Sequence, residues 1–170
     1  MRRRSFWTRA GLLYLLYVNA SVGIWATFSP RSFYDRFPGG GRTWVSTDGP
    51  FNEHLIRDVG AWSLGMAIVI AVAAWTMSRP LILTAATAAT VAALPHAIYH
   101  ARHADAIGST ADQTISISGL FLSAAIGLAV IVAELRNRSE PTEPMNEKLT
   151  TDSEGLPLRG GEEMGPRAER

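Results

Sequence analysis

Residues 115–135 read ISISGLFLSAAIGLAVIVAEL, and the first charged side chain in this run is Glu134. A helix needs about 20 predominantly apolar residues to cross the hydrocarbon core of a bilayer. In lipid, each backbone polar group must be satisfied within the segment, which only a helix of this length achieves. The run therefore predicts a transmembrane helix.

Three further apolar stretches of similar length precede this one, and they cover residues 10–28, 59–77 and 81–99. Only Ser78-Arg79-Pro80 stands between the second and the third stretch. So short a link predicts an antiparallel hairpin, with Pro80 in the first turn of the later helix. We therefore predict an all-α fold, an integral membrane four-helix bundle formed by residues 10–138.

The ends of the chain differ sharply from this apolar part. Residues 1–9 form a basic N-terminus, and residues 139–170 are rich in Glu, Pro, Gly, Thr and Arg. The latter composition predicts a disordered tail, because it offers too little apolar surface to offset the entropy of ordering. A formal net charge of +1 argues against nucleic acid as a partner. The absence of cysteine excludes disulfides and thiolate metal sites.

Arginines near the ends of the apolar stretches indicate the orientation in the membrane. Seven of them fall on one side of the predicted bundle and five on the other. The seven are Arg2, Arg3, Arg4, Arg9, Arg79, Arg136 and Arg138. The positive-inside rule then places both termini in the cytoplasm of a bacterial cell, with the bundle in the inner membrane. An export signal of the twin-arginine type, or a cleaved signal peptide, is the alternative interpretation of the N-terminus.

The first external loop is long and runs from Ser29 to Arg57. Ser29-Pro30 has the chemistry of a helix start, and the aromatic residues that follow at positions 33, 34 and 37 predict a short amphipathic helix. Residues 38–41, Pro-Gly-Gly-Gly, would end it. A second helical run is expected to lead from residue 48 into the second transmembrane stretch.

Small residues spaced four apart predict the faces through which helices pack in lipid. Ala61 and Gly65 form such a pair in the second stretch. The fourth stretch has residues 119, 123 and 127, and the third has residues 84, 88, 92, 96 and 100, of which the last two are histidines. We therefore expect these histidines to face other helices rather than lipid.

Ionisable residues gather at the predicted external rim of the bundle. The candidate polar cluster consists of Glu53, His54, Arg57, Asp58, His96, His100 and His103. Residue pairs 53/57 and 54/58 are spaced four apart and can each pair along a helix. Because the second and third helices are predicted hairpin partners, we expect the two parts of this cluster to lie close together.

Three interpretations of the histidines remain open. They could bind a metal ion or haem through His54, His96 and His100, since imidazole suits zinc, copper and iron. They could instead serve proton or quinone chemistry, because imidazole titrates near neutral pH. The plainest interpretation is that they are hydrogen-bonded residues of the interface without a further role. The sequence alone identifies no cofactor.

No enzyme motif is present. The chain has no Gly-x-Ser-x-Gly, no His-Glu-x-x-His, no phosphate-binding loop and no dinucleotide fingerprint. We therefore lean towards a protein that is not an enzyme, with the lipid bilayer and a second copy or another membrane protein as its partners. An oligomeric carrier of small solutes is a further alternative.

The chain also resembles a family of small bacterial four-helix membrane proteins and, more distantly, the DoxX-like group. The resemblance lies in FSPRSFY at residues 28–34, in DGPFNEH at residues 48–54 and in RDVG at residues 57–60. It covers about residues 10–135 and implies a long first loop before the second helix. The resemblance implies an accessory or structural role in the membrane. DoxX is associated with a quinone-linked oxidoreductase, so the resemblance also slightly favours redox chemistry, and it assigns no site residue.

Overall fold

A computed structural model describes residues 2–136 of the chain, with side chains from residue 6 onward. The predicted disordered tail, residues 139–170, lies outside the described residues. The described part contains five helices: α1 (Arg2–Phe28), α2 (Pro30–Arg36), α3 (Glu53–Thr76), α4 (Arg79–Arg102) and α5 (Thr110–Arg136). A hairpin of two short strands, β1 (Pro38–Gly39) and β2 (Arg42–Thr43), follows α2.

The four helices α1, α3, α4 and α5 are each long and apolar enough to cross a membrane, as the sequence predicted. The predicted short helix in the first loop is confirmed as α2. Helix α3 begins at Glu53, ahead of its apolar stretch, because the Asn52 side chain caps it by accepting a hydrogen bond from Leu55 N at 3.1 Å. The polar first turn of α3 therefore extends beyond the apolar part of the helix.

The predicted hairpin between the second and third long helices is also present. Met77 caps the C-terminus of α3: its φ of 50° lies in the left-handed region, and its backbone N donates to Ala73 O at 2.9 Å. Helix α4 follows after Ser78, with Pro80 in its first turn. We call this end of the bundle the turn end, and the opposite end, with residues 29–52 and 103–109, the loop end.

The long helices pack in two close pairs, α1 with α3 and α4 with α5. Smaller contacts between α3 and α4, and between α1 and α5, close the ring. All four helices contribute to one apolar core towards the turn end, which includes Leu12, Leu15, Ile70, Ile82 and Val130. This core fixes the relative positions of the two pairs.

Glycine permits the closest helix contacts. A Cβ on Gly60 of α3 would lie only 2.6 Å from Thr27 N of α1, and one on Gly23 would lie 2.8 Å from Leu64 N. The predicted contact face at Ala61 and Gly65 is therefore wrong: both residues are exposed, and a Cβ on Gly65 would meet nothing. Helix α3 turns the neighbouring glycine, Gly60, towards α1 instead.

The predicted small-residue face of α5 is confirmed in part. Ser123 and Gly127 are buried, and a Cβ on Gly127 would collide with the Thr90 side chain of α4. At Gly119 a Cβ would meet nothing.

The loop end has a smaller core of its own. Ala26, Phe33 and Ile56 are buried there, and the residues packed against them are Val22, Trp25, Tyr34, Phe37, Val45 and Phe51. All of these belong to α1, α2, the first loop or the start of α3. Within the described residues, neither α4 nor α5 contributes to this cluster, so the two helix pairs share no apolar core at the loop end.

Candidate functional site

The histidines of α4 lie where the shared core has ended. Ala85 and Ala89 precede His96 by 11 and 7 residues, spacings that place all three on one side of the helix. Both alanines are buried in the four-helix core, whereas His96 is exposed and His100 half-buried. The same side of α4 is therefore covered near the turn end and open near the loop end.

The predicted packing face through residues 84, 88, 92, 96 and 100 is wrong. Thr84, Ala92 and His96 are exposed, while the buried residues of α4 are Ile82, Ala85, Ala86, Ala89 and Ala97. Four residues advance a helix by about 400°, which is 40° more than one turn. A stripe at strict spacing four therefore winds around the helix and cannot stay on one contact face.

His96 and His100 contact each other directly. Their Nε2 atoms lie 3.0 Å apart, so one ring donates this hydrogen bond and the other accepts it. One turn further on, His103 stacks on Tyr99 with ring centroids 4.3 Å apart, and its Nδ1 lies 2.9 Å from Tyr99 O. His103 is thus held by its own helix and takes no part in the 96/100 pair.

The first loop reaches across to this end of α4 and to the start of α5. Tyr99 OH donates to Asp48 Oδ1 at 3.4 Å, and Arg42 Nε donates to Asp112 Oδ1 at 2.6 Å. Ser109 Oγ orients the Asp112 carboxylate by donating to its Oδ2 at 2.8 Å. Polar contacts, not an apolar core, thus join the two helix pairs at the loop end.

The ionisable residues of α3 form a separate group. Arg57 NH2 lies 2.8 Å from Glu53 Oε1, and Arg57 also donates to the backbone oxygen of Thr27. His54 Nε2 lies 3.3 Å from Asp58 Oδ2, and the His54 side chain is 88% exposed. Both predicted i,i+4 pairs are therefore present on α3. In the part of the chain that the structure describes, no hydrogen bond or ion pair connects them to the histidines of α4.

The three histidines that the sequence suggested as metal ligands are not brought together. His96 and His100 are in contact, while His54 is paired with Asp58 on α3. Among residues 2–136 no group of three His, Asp or Glu side chains is arranged to hold a metal ion. The reason lies in the helix pairing, since α3 packs mainly on α1 and α4 mainly on α5.

Sequence reasoning missed a buried carboxylate at the turn end. Glu134 looks like a flanking charge in the sequence, but it is only 8% exposed and accepts a hydrogen bond from Thr8 Oγ1 at 3.1 Å. Its backbone oxygen accepts from Arg79 Nε at 3.3 Å. Its position inside the last apolar run, before Leu135, was the only signal in the sequence.

A shallow groove of about 510 Å³ follows the outer face of α3. It is lined by Asp58, Ala61, Trp62, Gly65, Met66 and Val69. All of these residues belong to one helix, so the groove arises where the small side chains at positions 61 and 65 leave a depression beside Trp62. It is part of the exposed apolar surface of the bundle and not an enclosed binding site.

Comparison of the chain with protein-family models, with curated proteins and with solved structures found no match. The resemblance to the DoxX-like group thus stays a prediction from the sequence.

Proposed function

We propose that the chain is a multi-pass protein of the bacterial cell membrane, with both termini in the cytoplasm, and that it acts as an accessory component of the membrane. One observation carries the membrane assignment: all four long helices expose large apolar side chains on their outer surface. In water such a surface would be a severe aggregation hazard, whereas in lipid it is satisfied.

The dimensions of this apolar surface support the assignment. On α1, Trp7 is 71% exposed and Phe28 is 72% exposed. A separation of 21 positions corresponds to about 32 Å of helix, which matches a hydrocarbon core of about 30 Å. Trp75 of α3 is 87% exposed near the turn end, where an aromatic ring suits the level of the lipid headgroups.

The arginines support the orientation. The turn end holds Arg9, Arg79 and Arg136, each at or near the end of a long helix. The loop end holds five: Arg31, Arg36, Arg42, Arg57 and Arg102. The basic cluster of Arg2, Arg3, Arg4 and Arg9 before the first apolar stretch favours a cytoplasmic turn end, because the first helix usually dominates the orientation.

The membrane assignment is tested by expressing the full chain in a bacterium and fractionating the cells. We expect the protein in the membrane fraction, retained after an alkaline carbonate wash and released only by detergent. Recovery in the soluble fraction would contradict the proposal.

The orientation is tested with reporters at each terminus and between Gly40 and Gly41, in the turn of the β1–β2 hairpin. A reporter that is active only in the cytoplasm should work at both termini and fail in the hairpin. Failure at both termini with activity in the hairpin would overturn the orientation, whereas activity at only one terminus would contradict four transmembrane helices.

The accessory role is supported by the resemblance to the DoxX-like group in residues 28–34, 48–54 and 57–60. Inverted membrane vesicles from a host with and without the gene should differ in quinone-dependent oxygen consumption. Equal rates in the two preparations would argue against a role beside quinone-linked redox chemistry.

A further inference from the structure

Two imidazole nitrogens face one another on the open side of α4. His96 and His100 are spaced four apart, and their Nε2 atoms lie 3.0 Å apart. Two histidines at this spacing on one helix can chelate a metal ion together, and helical zinc motifs use the same arrangement. The neighbouring turn does not compete for this role, because His103 stacks on Tyr99 and directs Nδ1 to the backbone.

The separation of the two nitrogens fits shared coordination. With Zn–N bonds of about 2.0–2.1 Å, two nitrogens of a tetrahedral site lie about 3.3 Å apart. At 3.0 Å the same bonds enclose an angle of about 94° at the metal. A displacement of a few tenths of an ångström brings the two nitrogens to this distance, and each ring must also turn by about 40° so that both lone pairs point at the ion. The hydrogen on the bridging nitrogen moves to Nδ1 of its own ring.

The surroundings leave room for further ligands. His96 is exposed, and in the described part of the chain the apolar cluster at the loop end does not include any residue of α4. Asp48 Oδ1 accepts a hydrogen bond from Tyr99 OH at 3.4 Å, which holds its carboxylate beside the turns of α4 that carry His96 and His100. A nearby negative charge favours a cation, while water can complete the coordination sphere.

We propose that His96 and His100 form a two-histidine chelating site for a divalent transition-metal ion at the loop end of α4. Asp48 acts on this site as a neighbouring charge. The proposal goes beyond the accessory membrane role and differs from the ligand set suggested by the sequence, because His54 is not a ligand. Since imidazole ligands follow the usual order of affinity, Cu²⁺ should bind more tightly than Zn²⁺.

The test uses the full chain in detergent, purified with a tag that contains no histidine. Titration with CuCl₂ and ZnCl₂ should show one saturable site per chain, and the electron paramagnetic resonance spectrum of the Cu²⁺ form should show coupling to two nitrogens. Removing a residue that only hydrogen-bonds to a metal ligand already costs about 10–100-fold in affinity. Because His96 and His100 are the ligands themselves, we expect His96→Ala and His100→Ala each to weaken binding by at least about tenfold.

Matched controls separate this site from others. His54→Ala and His103→Ala should leave the affinity and the nitrogen coupling unchanged, and Asp48→Asn should weaken binding less than either ligand variant does. Circular dichroism and gel filtration confirm that each variant is folded. Binding that survives the His96→Ala/His100→Ala double variant, or that is lost in His54→Ala, would overturn the proposal, as would the absence of a saturable site.

Discussion

Thr8 Oγ1 donates a hydrogen bond to Glu134 Oε1 over 3.1 Å and so connects residues 126 positions apart in the chain. Both residues are buried, Thr8 being 2% exposed and Glu134 8%. A buried carboxylate is costly unless its oxygens are hydrogen-bonded. This contact therefore connects the first turns of α1 to the last turns of α5. It also gives the buried Glu134 carboxylate a hydrogen-bond donor.

Substitution of Thr8 by Val tests this contact, because Val matches Thr in size and removes the donor. We expect the free energy of unfolding in detergent to fall by about 1–3 kcal/mol, the cost of leaving a buried acceptor with one partner fewer. Thermal unfolding followed by circular dichroism measures the effect. Thr87→Val, at an exposed position of α4, is the control and should be close to neutral. Equal stability of Thr8→Val and the wild type would contradict the structural role.

Gly60 and Gly65 offer a matched pair on a single helix. A methyl group at Gly60 would lie 2.6 Å from the backbone nitrogen of Thr27, whereas one at Gly65 would meet nothing. Gly60→Ala should therefore separate α1 from α3 and destabilise the bundle by about 1–3 kcal/mol, as overpacking does.

The control substitution should act in the opposite direction. Gly65→Ala gains helix propensity, worth up to about 1 kcal/mol, without a clash. Thermal unfolding of the two variants in the same detergent measures the difference. If Gly65→Ala proved the more damaging of the two, the contact face of α3 would be the one predicted from the sequence.

The Arg42–Asp112 ion pair is expected to hold the first loop against α5. A double-mutant cycle with Arg42→Gln and Asp112→Asn should give a favourable coupling that weakens as salt is added, because both groups are near the surface. Hydrogen exchange at the amides of residues 42–44 should accelerate in either variant. The Arg31–Asp35 pair lies within α2, so its variants serve as the control and should leave that exchange unchanged.

The tryptophans report the position of the bundle in lipid. Trp75 is 87% exposed, whereas Trp25 is half-buried, donates through Nε1 to Ser32 Oγ at 3.2 Å and packs edge-on against Phe33. In single-tryptophan variants reconstituted into bilayers, brominated lipids should quench Trp75 more strongly than Trp25. Equal quenching at the two positions would contradict the outward orientation of this face of α3.

The sequence by itself determined the four long helices and the tight turn between α3 and α4. Uncharged runs as long as residues 115–133 have no other way to satisfy their backbone in lipid, and Pro80 can only begin a helix at that point. It also gave the pairs Glu53–Arg57 and His54–Asp58, because residues four apart on a helix are neighbours whatever surrounds them.

Only the tertiary structure decided which residues of α3 and α4 face a neighbour. Helix α4 is so rich in alanine that several small-residue stripes exist, and spacing alone cannot choose between Ala85, Ala89 and the stripe that begins at Thr84. Tertiary structure also separated His54 from His96 and buried Glu134, because these outcomes depend on α3 pairing with α1 and α4 with α5. That pairing arises from contacts between residues far apart in the chain, such as Gly60 with Thr27 and Gly127 with Thr90, which no local pattern encodes.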